Sequence, residues 1–216
     1  MGRITSRFRR NYWLAVSRSR GRAMKLKTTV GRLCRTLVRW QERRVERESA
    51  VLWRSLNHLP SVPWIPGVEV VTMDRHHREQ DLTDIYNEAC AGTPGFHRAG
   101  PVQLEAFKAS PYHDPKGVFL ARIEGTAVGY CFARLTPGGL GKITGLAVLS
   151  GYRRRGIGRA LVLSALHYLR EKGATRVRLL VDPEDPAQAL YESLGFSEWK
   201  PVEESQLLAA LVPAGR

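Results

Sequence analysis

The chain has 216 residues, of which 43% are hydrophobic, and it carries a formal net charge of +14. Its longest apolar runs are far shorter than the ~20 residues that cross a bilayer, and its three cysteines are too scattered for a disulfide framework or a zinc site. We therefore predict a cytoplasmic protein that binds no metal, built as one folded domain with an appendage.

The positive charge is concentrated in the first quarter of the chain. Residues 1–58 contain 16 Lys or Arg and 3 Asp or Glu, whereas residues 59–216 contain 18 and 17. A proline-rich stretch follows the basic quarter and is typical of a linker. The sequence therefore predicts a basic extension over 1–58, a linker over 59–66 and a folded domain over 67–216.

The extension is predicted to be partly helical. Residues 1–29 are rich in arginine and show no period, while residues 30–57 repeat apolar side chains at helical spacing with arginines on another face. Such an arm could bind nucleic acid through its phosphates, lie on an anionic membrane, dock on the domain or form a homodimer contact. Because residues 1–41 lack acidic side chains, an organellar presequence is a further alternative.

The domain is predicted to be a mixed sheet with helices on its faces. Apolar periodicity and turn residues define the elements. The predicted strands are 68–73, 117–123, 127–135, 142–149 and 176–182. The predicted helices are 81–91, 101–110, one from the glycine turn at 156–158 to Gly173, and one around Tyr191. An antiparallel meander followed by a strand–helix–strand unit predicts an α/β (α+β) mixed sheet.

The glycine turn is the most informative segment. A helix N-terminus has N–H groups without helical partners and a partial positive charge, so it can bind an anion. Gly156 and Gly158 allow close approach of the backbone. The arginines that add charge are Arg153, Arg154, Arg155 and Arg159. A plain turn with solvated arginines is the alternative, and Leu161 replaces the third glycine of a dinucleotide fingerprint.

Two motifs together resemble the GNAT acetyltransferase superfamily. Arg153-x-x-Gly156-x-Gly158 resembles its R/Q-x-x-G-x-G/A signature, and the segment from Ala189 to Phe196 resembles its A-x-x-LYE-x-LGF ending. The motifs stand 33 residues apart, counted from Gly158 to Tyr191, with one strand between them. The resemblance covers about residues 67–200 and looks most like the mycothiol-synthase-like branch. It implies a GNAT-like fold and acetyl-CoA as co-substrate.

The resemblance also implies roles for individual residues. Leu146, Ala147 and Val148 would meet the pantetheine arm through their main chain. The pyrophosphate would be held by Arg153, Arg154, Arg155, Gly156, Ile157, Gly158, Arg159 and Ala160. Tyr191 would act as the general acid, with core packing as its alternative role. The implied reaction is direct attack by a primary amine of a small molecule or peptide, with the Val148 N–H stabilising the oxyanion.

The sequence departs from the superfamily pattern in two places. Where some members have a glutamate base, this chain has Lys142 and Thr144. The remaining candidate bases are Glu88, His97, Glu105, His113 and Asp114. In the loop before Tyr191, Glu184 or Asp185 stands where the family often has an asparagine. The missing strand carboxylate slightly favours a second hypothesis, a non-catalytic acyl-CoA-binding or scaffold protein whose arm binds nucleic acid or an anionic membrane. The intact glycine turn and Tyr191 favour the acetyltransferase more.

Overall fold

The structure is a computed structural model that describes residues 50–76, 78–92, 96–109 and 113–198. Within these residues the strands are β1 (Ala50–Ser55), β2 (Val68–Thr72), β3 (Val118–Ile123), β4 (Thr126–Leu135), β5 (Gly141–Val148), β6 (Arg176–Val181) and β7 (Ser197–Glu198). The helices are α1 (Met73–His76), α2 (Gln80–Ala89), α3 (Pro101–Lys108), α4 (Ile157–Glu171) and α5 (Ala187–Ser193). Among the described residues, no helix combines the length and the apolar character needed to cross a bilayer.

The strands form one sheet in the order β2-β3-β4-β5-β6-β1-β7. Neighbouring strands are antiparallel except for β5 and β6, which are parallel. The crossover between this parallel pair is α4, because parallel strands need a long connection. The mixed sheet predicted from the element order is therefore confirmed.

Strand β1 corrects one sequence prediction. The range 30–57 was expected to be helical, yet Ala50–Ser55 pairs with β6 along its whole length, from Ala50 opposite Val181 to Ser55 opposite Arg176. Leu52 is only 1% exposed and packs in the same core as α4. Tertiary pairing overrides the helical spacing because β6 offers an edge and the core below it accepts apolar side chains. The predictions for residues 1–49 and 199–216 lie outside the described residues.

The two faces of the sheet are covered by different helices. On one face, Leu161 and Leu166 of α4 pack against Val177 and Leu179 of β6. On the other face, Ile85 of α2 and Phe107 of α3 pack against Tyr130 and Phe132 of β4, among others. Each strand residue thus belongs to an α4 face or to an α2–α3 face, and this division decides which groups meet at the site.

Candidate active site

The site begins where β5 and β6 part. Their parallel pairing covers only Gly141–Ile143 and Val177–Leu179, although both strands continue beyond it. On its other side, β5 carries a bulge at Thr144, because the register with β4 shifts between Phe132 and Ala133. A bulge bends the strand that contains it. β5 therefore turns away from β6 and leaves a gap between two parallel strands.

A cleft of about 110 Å³ lies at this gap. Four aromatic side chains line it, namely Tyr86 from α2, Tyr130 and Phe132 from β4, and Tyr191 from α5. The rings of Tyr130 and Phe132 are stacked with centroids 4.4 Å apart. Thr144 and Gly145 of β5 and Leu180 of β6 also line the cleft. The cleft therefore combines aromatic and aliphatic walls with polar groups, among them Thr144 and the tyrosines.

The main chain of β5 presents hydrogen-bonding groups to the gap. The N–H of Leu149 donates to the carbonyl of Val128 at 2.9 Å. Because N–H and C=O groups alternate between the two sides of a strand, those of Leu146 and Val148 point away from β4, whereas those of Ala147 point towards it. The Val148 carbonyl accepts a 3.0 Å bond from Nε of Arg153 on that side. An extended ligand chain could pair there as a strand would.

The glycine turn forms the N-terminus of α4 at the end of β5. Gly156 has φ +82°, a conformation that favours glycine, and no side chain caps the helix. The first helical bond runs from the N–H of Ala160 to the carbonyl of Gly156 at 3.0 Å, so the N–H groups of Ile157, Gly158 and Arg159 have no helical acceptor. A Cβ on Gly158 would lie 3.3 Å from Leu190 and 4.0 Å from Val148. This uncapped helix end fits a phosphate anion.

The four arginines of the turn have different surroundings. Arg153 donates from Nη2 to the carbonyl of Ala89 at 3.3 Å, which links the turn to α2. Arg159 donates from Nη1 to the hydroxyl of Ser193 at 3.2 Å, which links α4 to α5. Arg155 lies over the ring of Tyr152, 5.5 Å from its centroid, and Arg154 is exposed. Three of them, Arg153, Arg154 and Arg155, are exposed and can reach an anion in solution. Arg153 and Arg159 also hold neighbouring helices.

Tyr191 lies both in the wall of the cleft and in the core. It lines the cleft, yet it is only 7% exposed, and its ring meets Phe196 edge-on at 5.8 Å. The helix α5 that carries it follows β6 directly after a short loop. The side chain therefore packs in the core and also bounds the space between the two parted strands.

None of the five candidate bases lines the cleft. Glu88, His97 and Glu105 are exposed. The ring of His113 meets Phe107 at 4.8 Å, and burial lowers the pKa of this histidine. Asp114 accepts hydrogen bonds elsewhere, near the last turns of α4. Whether a side chain lies at the cleft depends on tertiary contacts, and the order of residues along the chain does not reveal these contacts.

Two carboxylates missed as candidate bases do line the cleft. Asp182 and Asp185 lie in the loop between β6 and α5. Asp182 accepts from the N–H of Glu184 at 3.0 Å, and Asp185 accepts from the N–H of Ala187 at 2.9 Å. Of the two loop residues named from the sequence, Asp185 borders the cleft and Glu184 is exposed. The Asp-Pro pairs in this loop are the signal that could have placed both carboxylates in turns.

Comparison with known proteins identifies the family of this chain. A sequence model of the Acetyltransferase (GNAT) family matches residues 80–196. A mycothiol acetyltransferase of Thermomonospora curvata is 34% identical, over 65% of this chain and 48% of that protein. One of Thermobispora bispora is also 34% identical, over 68% of this chain and 54% of that protein. The chain thus spans about half the length of these curated relatives.

Solved structures agree on the fold. A GCN5-related N-acetyltransferase from Sphaerobacter thermophilus superposes with a TM-score of 0.60 at 23% identity, over 76% of this chain and 53% of that one. The ribosomal-protein-S18-alanine N-acetyltransferase from Escherichia coli gives 0.50 at 22% identity, over 62% and 79%. At such identities the likeness concerns the fold, and it confirms the GNAT-like fold expected from the two motifs.

Proposed function

Because the chain belongs to the GNAT acetyltransferase family, we propose that it transfers an acetyl group from acetyl-CoA to a primary amine of a small molecule. The observation that carries this proposal is the gap between β5 and β6, with an uncapped helix end at its edge and Tyr191 in its wall. The helix end suits a pyrophosphate, and the gap, along which β5 presents main-chain hydrogen-bonding groups, suits an extended thioester arm. The helix end and the gap follow each other along the site in the same order as the pyrophosphate and the thioester arm along acetyl-CoA.

We assign the donor contacts as follows. The main chain of Val148 and the carbonyl of Leu146 pair with the amide groups of the pantetheine arm, because both residues point their N–H and C=O groups into the gap. The N–H groups of 157–159 meet the pyrophosphate, together with the exposed guanidinium groups of Arg154 and Arg155. Arg153 and Arg159 hold the turn in place and add positive charge.

The chemical step is a direct transfer. The lone pair of the neutral amine forms the N–C bond to the acetyl carbon, and the C–S bond breaks with its electrons leaving on sulfur. Tyr191 gives its proton to the departing thiolate. We assign the oxyanion to the N–H of Leu146, which lines the cleft beside Tyr191, rather than to that of Val148, which lies nearer the glycine turn. The amine loses its proton to Asp182 or Asp185 through water, since these carboxylates border the cleft.

The relatives favour a small acceptor over a peptide. Both curated relatives quoted above are named mycothiol acetyltransferases, and they share 34% of their aligned residues with this chain. Neither the comparisons nor the described residues support the alternative of a non-catalytic scaffold. Release of CoA thiol from acetyl-CoA in the presence of a panel of primary amines tests the proposal. Amine-dependent release supports it, and acetyl-CoA binding without release by any amine contradicts it.

A further inference from the structure

A proline-rich segment runs along α4 back towards the glycine turn. It spans residues 56–67 and connects β1 to β2. At its start, the N–H of Leu56 donates to the carbonyl of Thr175, just beyond the end of α4, at 2.9 Å. Further along, Nε2 of His167 in α4 lies 2.8 Å from the carbonyl oxygen of Pro60. The segment therefore leaves the C-terminal end of α4 and follows the helix towards its N-terminus.

The last residues of this segment contact the glycine turn. A Cβ built on Gly156 would lie 3.4 Å from Cδ1 of Ile65, which packs against the core cluster of α4. The N–H of Val68 donates to the Ile65 carbonyl at 3.0 Å, with Pro66 and Gly67 between them. Gly67 has φ +73° and follows a proline, so these four residues form a type II turn. The path of the chain past the glycine turn is therefore fixed.

Trp64 lies immediately before this contact, and its side chain points to solvent. Val62 and Trp64 are 39% and 84% exposed, whereas Pro63 and Ile65 are half-buried. Such alternation places neighbouring side chains on opposite sides of an extended chain. Ile65 therefore faces α4 while Trp64 faces outwards. Within the part of the chain that the structure describes, Trp64 is the most exposed large apolar side chain.

The backbone on both sides of Trp64 is held in place. Pro60, Pro63 and Pro66 each have a restricted φ. The contact of Pro60 with His167 and that of Ile65 with the glycine turn attach the segment to α4. The indole ring is thus presented to solvent from a fixed position. A ligand that covers this ring gains the free energy of burying an aromatic surface, and it meets a backbone that is already ordered.

The position of Trp64 relates it to the nucleotide end of the donor. The Cα atoms of Trp64 and Ile65 are about 3.8 Å apart, and Ile65 contacts Gly156 at the end of the helix that we assign to the pyrophosphate. In acetyl-CoA, one ribose joins the pyrophosphate to adenine. When the pantetheine arm enters the gap between β5 and β6, the other end of the pyrophosphate leads out of the gap. Adenine is therefore directed to the protein surface around the turn, where Trp64 lies.

We propose that the indole ring of Trp64 stacks on the adenine base of the donor coenzyme. The inference rests on the proposed function, and it adds a binding residue for the nucleotide half of acetyl-CoA. A purine base offers two flat faces, and stacking on an aromatic ring requires no hydrogen bond to the edge of the base. A single exposed indole beside the pyrophosphate site is sufficient for this contact.

Calorimetric titration of CoA into the full chain tests the inference. Trp64→Ala should lower the affinity for CoA about tenfold, because removal of an aromatic ring from a stacked base has an effect of this size. Trp64→Phe retains a ring and should stay within about threefold of wild type. Val102→Ala is the matched control, since Val102 is also an exposed apolar residue and lies on α3, and it should leave the affinity unchanged.

A fluorescent analogue reports the stack itself. In the ethenoadenine analogue of CoA the base is fluorescent, and stacking on an indole quenches its emission. With the analogue fully bound, we expect weaker emission from wild type than from Trp64→Ala. Equal affinity for CoA in these two proteins, an equal loss of affinity in Trp64→Phe and Trp64→Ala, or equal emission of the bound analogue overturns the inference. Folded wild-type protein that binds no CoA is a different result, and it contradicts the proposed function.

Discussion

The hydroxyl of Tyr168 donates a 2.6 Å hydrogen bond to Oδ2 of Asp114. Asp114 also accepts from the N–H of Lys116 at 2.9 Å and lies 3.6 Å from the ammonium of Lys172. Tyr168 is eleven residues beyond the start of α4, so this carboxylate lies about 16 Å along the helix from the glycine turn. A residue that the sequence suggested as a base therefore fastens the loop before β3 to the far end of α4.

This pair makes a prediction about stability and pH. Partial burial alone would raise the pKa of Asp114, but the Tyr168 hydroxyl, the Lys116 N–H and Lys172 hold it below the usual value. Burial, followed by the bond to Asp114, raises the pKa of Tyr168. Tyr168→Phe should lower the free energy of unfolding by about 1 kcal/mol at pH 7.

The sign of the pH effect follows from the two shifts. Because the pKa of the carboxyl group is lowered in the folded state, this group stabilises the fold above its ordinary pKa, and the stabilisation is lost as the pH falls. Because the pKa of the tyrosine is raised, its stabilisation is present below the ordinary tyrosine pKa and is lost as the pH rises. The difference between wild type and Tyr168→Phe should therefore be largest from about pH 5 to 9 and shrink on both sides. Urea unfolding at several pH values measures it, and a difference independent of pH would contradict the assignment.

Tyr191→Phe tests the general acid. The variant keeps the ring against Phe196 and loses only the hydroxyl, so acetyl-CoA should bind as before. We expect kcat for CoA release to fall at least ~10-fold, since acid–base groups contribute 10²–10⁴. Tyr168→Phe is the control, because its hydroxyl serves Asp114. An unchanged kcat in Tyr191→Phe would remove this residue from the chemistry.

Leu52→Ala tests the place of β1 in the core. Leu52 is 1% exposed, and its removal leaves a cavity against α4, so the free energy of unfolding should fall by about 3 kcal/mol. Val51, on the other side of the strand and half-buried, supplies the control, and Val51→Ala should cost about 1 kcal/mol. Equal small losses in both variants would show that β1 does not pair with β6 as described.

Asp81→Ala tests the anchor of α2. Oδ2 of Asp81 lies 2.7 Å from Nε2 of His76, whose side chain is 1% exposed. Removing the carboxylate leaves a buried ring nitrogen without that partner, so the free energy of unfolding should fall by about 2 kcal/mol. Asp84→Ala on the same helix alters an exposed carboxylate and should change it by less than about 0.5 kcal/mol. Chemical unfolding of both variants measures these changes. Comparable losses of unfolding free energy in the two variants would argue against the buried contact between Asp81 and His76.

Local motifs allowed much of the fold and part of the site to be predicted. The glycine turn at 156–158 was expected to open a helix, and α4 begins there, at Ile157. β1 was missed because its structure depends on pairing with β6, about 125 residues further along the chain. The candidate bases named from the sequence do not line the cleft, because contact with the cleft depends on tertiary structure.

The central claim is that the glycine turn binds the pyrophosphate of acetyl-CoA. Gly156 is unsuitable for a test, since its φ of +82° makes any substitution strained. Gly158→Glu places a carboxylate in the first turn of α4, where negative charge favours the helix but opposes a bound anion. Gly138→Glu is the matched control, because a Cβ there meets nothing within 4 Å.

Calorimetric titration of acetyl-CoA into the three proteins is the most direct measurement. We predict binding to wild type and to Gly138→Glu, and an affinity at least about 100-fold lower for Gly158→Glu, as expected when charge-assisted bonds to the anion are lost. Equal affinity in all three proteins would contradict the assignment of the turn. Folded wild-type protein that binds no acetyl-CoA would contradict the whole account.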